Sequence, residues 1–454
     1  MLSRALAPLL AVIGAVQASL QIVPGGTWTT SNNEHLQAHG GGLIKVNDTY
    51  FLMGEDKTSG SAFQNVNCYS SQDLVVWTYV GALLSRTGSG DLGPNRVIER
   101  PKVIYNDKTR KYVLWMHVDS SNYGEAKVGV ATGDTVCGKY EYKGSFQPLG
   151  KQSRDMGLFK DDDGKGYLLT EDRQNGLRIV ALSDDYLTVT TNTYLWKDSI
   201  EAPALLKLGG RYYMFGSKLT GWDPNDNVYS TSTSLSSGWS AWKTFADSGS
   251  KTYTSQTNFV LKTGESSAVY LGDRWVSKNL MASTYVWLPL SISGTSVSMK
   301  NAVSWVPNLR PGAGGQWAAP PAETSYEGEA ATYGGKARDV DCASCSGKKA
   351  AGYVGGPDRG TVTFAGVRSD GSASGAATTV RIKYVNGDSK VRYANVRVNG
   401  DAGRRVAFLP SSGDPASSTL HVQLRTGATA NTIVIEGVGD GWGPDIDRLM
   451  VPVS

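Results

Sequence analysis

The stretch from Glu99 to Trp115, ERPKVIYNDKTRKYVLW, decides the fold. An acidic residue precedes a short apolar run, a polar turn follows at 106–108, and the chain returns through alternating aromatic and aliphatic residues. Apolar runs that are this short, that alternate and that end at turn residues are typical of β-strands rather than helices. The stretch therefore predicts a β-hairpin that begins at an acidic side chain.

The same unit recurs along the chain at spacings of about 45 to 60 residues, which suits one four-stranded blade per copy. The copies begin at His39, Glu99, Asp155, Glu201 and Gln256. They predict an all-β fold with a five-bladed β-propeller over roughly residues 25 to 310, since a two-sheet sandwich would not contain five equivalent units. Equivalent strand starts in a propeller converge on its axis, so these five side chains are expected to ring one funnel.

A change of composition marks a second domain. A Gly-rich stretch ends near 315, a short linker rich in Ala and Pro spans 316–325, and alternating strands follow over 326–454. About 130 residues of this kind predict a jelly-roll-like β-sandwich. We therefore assign 19–315 to the propeller and 326–454 to a β-sandwich module.

Residues 1–18 have the layout of a secretory signal peptide, with Arg4 before an apolar run from Ala5 to Val16. That run is too short to span a membrane, and no later segment approaches the required length. With 45 basic and 41 acidic residues the net charge is only +4, and no basic run could follow a phosphate backbone. We expect a secreted, extracellular monomer with neither a membrane nor a nucleic acid as partner.

Four cysteines suit an oxidising compartment. Cys342 and Cys345 are close enough to close a local loop, which leaves Cys68 and Cys137 as the other pair. A zinc site is the competing interpretation of Cys-x-x-Cys, although no second such motif or His pair accompanies it. Asn47 begins an Asn-Asp-Thr sequon that could carry a glycan if its turn is exposed.

Three of the five strand starts are carboxylates, at Glu99, Asp155 and Glu201. Hydrolysis of a glycosidic bond needs a carboxylic acid that protonates the leaving oxygen and a second group that activates water or stabilises the cationic centre. Crowding raises the pKa of at least one carboxylate in such a cluster, as a general acid requires. Turn capping by each residue separately, and metal binding by the cluster, are the alternatives.

Four stretches carry a specific resemblance: Ile98–Lys102 (IERPK), Ser153–Gly157 (SRDMG), Ile200–Pro203 (IEAP) and Gly272–Trp275 (GDRW). They resemble the motifs of glycoside hydrolase family 43, in particular its exo-β-1,3-galactanase branch. The resemblance implies an inverting exo-enzyme that needs no catalytic cofactor and releases galactose from the β-1,3-galactan backbone of arabinogalactan. It also implies that Glu201 is the general acid, that Asp155 orients it and tunes its pKa, and that Glu99 binds the sugar and stabilises the transition state.

The first blade departs from the wider family, which carries an Asp there as general base. This chain has Ala38 to Gly42, AHGGG, with no carboxylate. The galactanase branch shares that absence and has a Gln on the fifth blade, matched here by Gln256. We assign Gln256 to holding the attacking water, with its tautomer or Glu99 as the two candidate bases.

The pocket also needs hydrogen-bonding groups for sugar hydroxyls and aromatic faces for C–H surfaces. Side chains that would project from return strands or the loops after them are Glu55, Tyr123, Asn175, Thr220, Trp222 and Trp275. Each of them has a structural interpretation as well, and tryptophans also fill propeller cores.

The second domain begins with Tyr326–Ala330 (YEGEA) and ends with Gly443–Leu449 (GPDIDRL), which resemble the terminal strands of a family 35 carbohydrate-binding module. Glu327, Glu329 and Asp447 would meet if these strands pair, and three carboxylates suit structural calcium. Solvated edge charges are the alternative. Sugar is expected at the loop edge, at Tyr353, Trp442 and Asp445.

Two other functions stay open. One is a different family 43 exo-activity, such as an α-L-arabinofuranosidase or β-xylosidase, against which the fifth-blade Gln and the missing first-blade Asp argue. The other is an inactive galactan-binding lectin, because the usual base is absent. Retention of Glu99, Asp155 and Glu201 argues against a lectin, since binding alone needs no proton donor.

Overall fold

The computed structural model describes residues 20–309, 315, 317–369 and 376–453. The predicted signal peptide at 1–18 lies outside the described residues. The fold is all-β, as predicted: five four-stranded antiparallel sheets are followed by two larger sheets. No helix among the described residues has the length and apolar character that a membrane crossing requires.

Each of the five sheets is one propeller blade whose strands pair in chain order. The strands of the blades are β1 (His39–Val46), β2 (Thr49–Glu55), β3 (Asn65–Ser71), β4 (Thr78–Ser85); β5 (Arg96–Asn106), β6 (Lys111–Ser120), β7 (Lys127–Gly133), β8 (Glu141–Phe146); β9 (Met156–Lys160), β10 (Gly166–Asp172), β11 (Gly176–Leu182), β12 (Val189–Trp196); β13 (Ile200–Leu208), β14 (Arg211–Lys218), β15 (Val228–Ser232), β16 (Lys243–Thr244); and β17 (Gln256–Lys262), β18 (Ala268–Arg274), β19 (Thr284–Ser293), β20 (Ser296–Met299). The first strands β1, β5, β9, β13 and β17 contact one another around a closed ring. They line the axis.

Apolar side chains from facing blades form the propeller core, so the hydrophobic clusters lie between sheets rather than at the axis. The remaining elements of this domain are one helical turn, α1 (Lys251–Thr254), and 3₁₀ turns at Gly90–Leu92, Pro148–Gly150 and Leu280–Ala282. A disulfide joins Cys68 of the first blade to Cys137 after β7, as expected. Asn47 lies in the exposed turn between β1 and β2, which meets the condition set for its sequon.

The C-terminal module is a β-sandwich. A two-stranded ribbon, β21 (Val306–Pro307) with β22 (Trp317–Ala318), precedes it. One sheet has the order β25-β26-β33-β28-β31 with β23 also paired to β33, and the other has the order β24-β27-β32-β29-β30. The strands are β23 (Ala322–Glu327), β24 (Thr332–Gly334), β25 (Arg338–Asp341), β26 (Lys349–Gly352), β27 (Thr361–Ser369), β28 (Thr378–Val385), β29 (Arg392–Val398), β30 (Arg404–Phe408), β31 (Ala416–Val422), β32 (Gly427–Gly437) and β33 (Asp445–Val453), with 3₁₀ turns at Gly328–Ala330 and Ser346–Lys348.

Two details of the module bear on the predictions: one moves its first boundary, and the other decides between a disulfide and a zinc site. Its first strand begins at Ala322, inside the predicted linker, because this strand pairs along its whole length with β33. Cys342 and Cys345 form a disulfide, so their sulfurs are not zinc ligands.

The N-terminal segment, Leu20–Leu36, joins the two domains. Ile22 pairs with Trp305 beside the fifth blade, while Thr27 forms a parallel bridge with Ser418 of the module. The Thr27 hydroxyl also lies 2.9 Å from the hydroxyl of Tyr384, which is buried in the module core. The segment therefore holds the module against the propeller through buried hydrogen bonds.

Candidate active site

A repeated bulge delivers the functional side chains to the axis. In the first, second and fourth blades the pairing of the two inner strands shifts just after His39, Glu99 and Glu201. The next residue in each case has positive φ: +58° at Gly40, 55° at Arg100 and 53° at Ala202. A bulge of this kind re-aims the preceding side chain, and here it turns Glu99 and Glu201 over one end of the axis.

The bulges open onto a pocket of about 340 Å³. Eight of the predicted site residues line it: Glu55, Glu99, Tyr123, Asp155, Glu201, Trp222, Gln256 and Trp275. Arg100, His117, Asn122, Arg154, Arg173 and Gly221 complete the wall. The predicted funnel is therefore present, with charged groups of both signs.

The expectation that His39 lines the funnel is wrong. His39 is fully buried, its Nδ1 lies 3.0 Å from Asp273 Oδ1, and its ring stacks on Tyr285 at 4.7 Å. The pair joins the first blade to the fifth and so closes the ring. Glu55 takes the first-blade place in the pocket, and Gly40 makes room for it, since a Cβ there would lie 1.7 Å from Glu55 Oε1.

Glu201 lies in the wall as a buried carboxyl group, 5% exposed. Its Oε1 accepts a hydrogen bond of 2.9 Å from the side-chain amide of Gln256. Burial and the neighbouring Asp155 raise the pKa of Glu201 to about 9. The group is therefore protonated at neutral pH and can donate its proton.

Arg100 organises the groups next to Glu201. Its Nη2 donates to Gln256 Oε1 at 2.6 Å and lies 2.8 Å from Asp155 Oδ2, which also accepts the backbone N–H of Ala202 at 3.0 Å. Trp275 Nε1 donates to the same Gln256 oxygen at 2.9 Å. Two donors thus fix the orientation of the Gln256 amide and occupy its oxygen.

Glu99 is surrounded by donors. Tyr123 donates its hydroxyl to Oε1 at 2.9 Å, Lys57 Nζ lies 3.3 Å from the same oxygen, and His117 Nδ1 lies 3.4 Å from Oε2. Burial works to raise the pKa of Glu99, but Lys57, His117 and Tyr123 outweigh it and hold that pKa well below its usual range. Glu99 is therefore a fixed anion with little affinity for a proton.

The cations beside Glu99 are fixed as well. Lys57 is 2% exposed and pairs with Glu55 Oε2 at 2.5 Å. Burial opposes the charge of His117, but its hydrogen bond to Asp119, at 2.8 Å, and the nearby Glu99 carboxylate raise its pKa to about 9. Lys57, which Glu55 and Glu99 share, and His117 balance the anions in this half of the pocket, so the pocket suits a neutral polar ligand.

Two predicted sugar-binding residues are not in the pocket wall. Asn175 lines an adjoining cavity of about 370 Å³ and donates to Asp172 Oδ2 at 2.6 Å. Thr220 is exposed and donates its hydroxyl to the backbone oxygen of Asp223 at 2.5 Å. Turn hydrogen bonds hold both side chains away from the axis.

Several residues in or next to the pocket wall were not predicted from the sequence. Lys57 lies two residues after Glu55 and Arg173 two residues after Glu171, with no spacing that marks either of them. Arg100 and Arg154 lie inside the family motifs but had no role assigned. The only usable sign for His117 was its place on the strand that pairs with Glu99, where a buried histidine needs an acidic partner.

At the loop edge of the module, Tyr353 and Trp442 are 42% and 43% exposed, with ring centroids 6.1 Å apart. The Arg338 guanidinium lies 3.6 Å from the Tyr353 ring centre. Burial raises the pKa of the neighbouring Asp445 carboxyl, whereas Arg392 and the Tyr353 backbone oppose the rise. The structure thus places the three predicted module residues in one region.

Glu327, Glu329 and Asp447 lie where β23, the following 3₁₀ turn and β33 meet. Each has one buried oxygen without a hydrogen-bond partner: Glu327 Oε2, Glu329 Oε2 and Asp447 Oδ2. Among the described residues no three His, Cys, Asp or Glu side chains converge as a finished metal centre. Carboxylate oxygens are the donors that calcium prefers, and these three lack a hydrogen-bond partner, but their side chains do not converge on one point.

Two family models match the chain. Residues 41–280 match the model of glycosyl hydrolases family 43. Residues 361–451 match a model described as the CBM13 domain of alpha-galactosidase. The second match corrects the expected likeness of the module to family 35, because the matching model is CBM13-like.

Solved structures of similar proteins extend over both domains. The exo-β-1,3-galactanase of Phanerochaete chrysosporium, crystallised with β-1,3-galactotriose, is 37% identical over 95% of this chain and 99% of that one, with a TM-score of 0.67. An exo-β-1,3-galactanase from Clostridium thermocellum is 27% identical over 94% and 99% of the two chains, with a TM-score of 0.63.

Among curated proteins, the xylan 1,3-β-xylosidase of a Vibrio species is 27% identical over 133 residues. The match covers 28% of this chain and 24% of that enzyme, so the chain spans about a quarter of the curated relative's length.

Proposed function

The chain belongs to glycosyl hydrolases family 43, and from that premise we propose that it is an inverting exo-β-1,3-galactanase that removes galactose from the end of a β-1,3-galactan chain. The observation that carries the proposal is Glu201, a buried carboxyl group with a pKa of about 9 in the wall of an axial pocket. The full-length likeness to two exo-β-1,3-galactanases supports the choice of substrate.

In this proposal Glu201 protonates the glycosidic oxygen as the bond to the departing galactan breaks. Burial and the neighbouring Asp155, which pairs with Arg100 at 2.8 Å, raise the pKa of Glu201, which keeps the proton in place until the leaving oxygen needs it. The amide of Gln256 holds Glu201 Oε1 and so aims the carboxyl group.

Glu99 stabilises the cationic sugar and accepts hydrogen bonds from its hydroxyl groups. Its depressed pKa makes it a poor proton acceptor, which argues against it as the base. Gln256 has its oxygen committed to Arg100 and Trp275, so its amide can hold the attacking water only through the remaining N–H. The proton that this water loses on attack passes to one of the two candidate bases, the tautomer of Gln256 or Glu99. Substituting Gln256 by Glu tests this role, since a carboxylate there restores a conventional base.

The shape of the pocket supports exo-action. Below the pocket, the Lys102 side chain is 2% exposed and its Nζ donates to the Gly40 carbonyl oxygen at 2.7 Å. Lys102 lines a separate cavity of about 400 Å³ at the opposite end of the axis, and it does not line the catalytic pocket. The floor excludes a channel through the propeller, so a polysaccharide enters and leaves the pocket on one side, which supports exo-action.

A panel of glycans tests the proposed activity. We expect galactose from β-1,3-galactan, and no arabinose or xylose from arabinan or xylan. Proton NMR during the first minutes should show α-galactose before mutarotation, as inversion requires. Release of pentoses alone would favour the alternative family 43 activities, and tight binding of galactan without turnover would favour a lectin.

For the C-terminal module the proposal is a carbohydrate-binding role at Tyr353, Trp442 and Asp445, with one structural calcium ion held by Glu327, Glu329 and Asp447. Two exposed rings beside a buried carboxyl group support sugar binding, because rings stack on C–H faces and the carboxyl group accepts hydroxyls. The three orphaned oxygens support the cation. Secretion of a monomer completes the proposal, with the two disulfides as its support.

A further inference from the structure

One buried carboxyl group beside the pocket has no part in the mechanism above. Glu171, on β10 of the third blade, is fully buried, and neither of its carboxylate oxygens has a hydrogen-bond partner. The nearest cation is Arg173, whose Nε lies 3.7 Å from Oε1 and whose side chain is 52% exposed. A carboxyl group in such surroundings is costly when ionised, so a merely structural role would be served better by Gln.

The backbone ties Glu171 directly to the residue that tunes the acid. Its N–H donates to the Asp155 carbonyl oxygen at 2.9 Å, and its own carbonyl oxygen accepts from Arg154 at 3.1 Å. Glu171 lines the adjoining cavity together with Ile200, the residue before Glu201, and Arg173 lines both that cavity and the catalytic pocket. Glu171 and the residue before the acid therefore line the same cavity.

We propose that Glu171 is a positioning residue for the acid: its buried, unpartnered carboxyl group shares a cavity wall with the residue before Glu201, and its negative charge holds the proton on Glu201. This inference rests on the proposed function and deepens it. It gives the site two carboxyl groups that ionise one after the other.

The charges around Glu171 support that order. Burial and Asp155 raise its pKa to about 7, against the lowering influence of Arg173, Arg154 and His117. Glu171 in turn contributes to the raised pKa of Glu201, about 9, after burial and Asp155. Above pH 7 an ionised Glu171 therefore opposes the loss of the Glu201 proton, and the alkaline limit of activity moves upward.

The test is the pH profile of kcat/KM for E171Q, which keeps the shape of the side chain but never carries a charge. We expect the alkaline limb to move toward lower pH by about half a unit, which means about a twofold loss at pH 9, about a threefold loss at higher pH and a ratio near one at pH 5. E171D, which keeps the charge, should retain the wild-type limb. E141Q, at a side chain that is 74% exposed, is the matched surface control.

Two results would overturn the inference: an E171Q profile that superimposes on the wild type, or an equal loss of kcat/KM at every pH, as a packing defect would give. The thermal midpoint of E171Q should not fall. If E171Q does not fold, the test uses infrared spectra of E201Q, in which Glu171 keeps its carboxyl group. These spectra must show a protonated carboxyl band that disappears as the pH rises through about 7, and a spectrum without that band refutes the ionisation of Glu171. Because that measurement needs no substrate, it separates failure here from an inactive wild type, which would refute the proposed function.

Discussion

The carboxylates of the propeller pocket and those of the module differ in the cations that lie beside them. In the propeller pocket, Glu55 and Glu99 share Lys57, and Asp155 pairs with Arg100. In the module, Glu327 and Asp447 lie 3.8 and 3.7 Å from Arg448, a looser contact, and each keeps an oxygen without a hydrogen-bond partner. A site that carries its own cations is ready for a neutral ligand, whereas one that lacks them needs a cation from outside. The contrast underlies the two proposals, a sugar in the propeller pocket and a cation in the module.

The largest expected effect removes the one neutral acid from the pocket. Glu201→Gln keeps the hydrogen-bonding shape but has no proton to give, so kcat on β-1,3-galactan should fall by about 10³-fold while KM changes little. Galactose release measured by chromatography checks this, with E141Q as control. Activity that survived the change would place the proton donor elsewhere.

A second change breaks the charge balance of the pocket. Lys57→Met leaves Glu55 and Glu99 buried without their shared cation, which should cost about 3–5 kcal/mol of unfolding free energy. The pKa of Glu99 should rise toward its usual range, since Lys57 is the largest influence that lowers it. Denaturant unfolding measures the cost. A variant as stable as the wild type would show that water, not Lys57, balances these anions.

Calcium tests the other half of the contrast. If the module cluster takes the ion, free calcium at a hundred times its dissociation constant should stabilise the module by about 2.7 kcal/mol, and a chelator should remove that gain. Calorimetry with and without a chelator checks it, and Asp447→Asn should abolish the response. Turnover of short galactosides should not change. A chelator that instead stopped turnover would place the metal in the propeller.

The smallest effect concerns the rings of the module. Trp442→Ala removes one stacking face, worth about 1 kcal/mol, so the affinity for polymeric galactan should weaken about fivefold. Trp317→Ala, at another exposed ring of 50% exposure, is the matched control. Equal loss in both variants, measured by pull-down on insoluble galactan, would mean that the binding is not specific to this edge.

The fold and the ring of strand starts could be predicted, because each β-hairpin has a local sequence pattern that recurs in all five blades. Glu99, Asp155, Glu201 and Gln256 follow from that pattern and all reach the pocket. His39 shares the pattern, but Asp273, 234 positions away, draws it into the ring closure.

The cations of the site could not be predicted, because each of them meets its partner across a long stretch of sequence. Lys57 meets Glu99 across 42 positions and Arg100 meets Gln256 across 156, so no local spacing marks either pair. Asn175 and Thr220 were placed in the pocket because they follow return strands, yet short turn hydrogen bonds hold both of them aside.

The N-terminal segment, finally, has a consequence for the order in which the protein is made. Thr27 emerges early from the ribosome, but the hydroxyl that donates to its carbonyl oxygen belongs to Thr419, 392 positions later. The buried hydrogen bonds of the N-terminal segment therefore cannot all form until nearly the whole module has been synthesised. Deleting 326–454 would expose the buried partners of Thr27 to water. Substitutions at the loop edge of the module, such as Trp442→Ala, therefore separate binding from turnover more cleanly than truncation does. Domain exchange between relatives would have to carry the opening segment together with the module against which it folds.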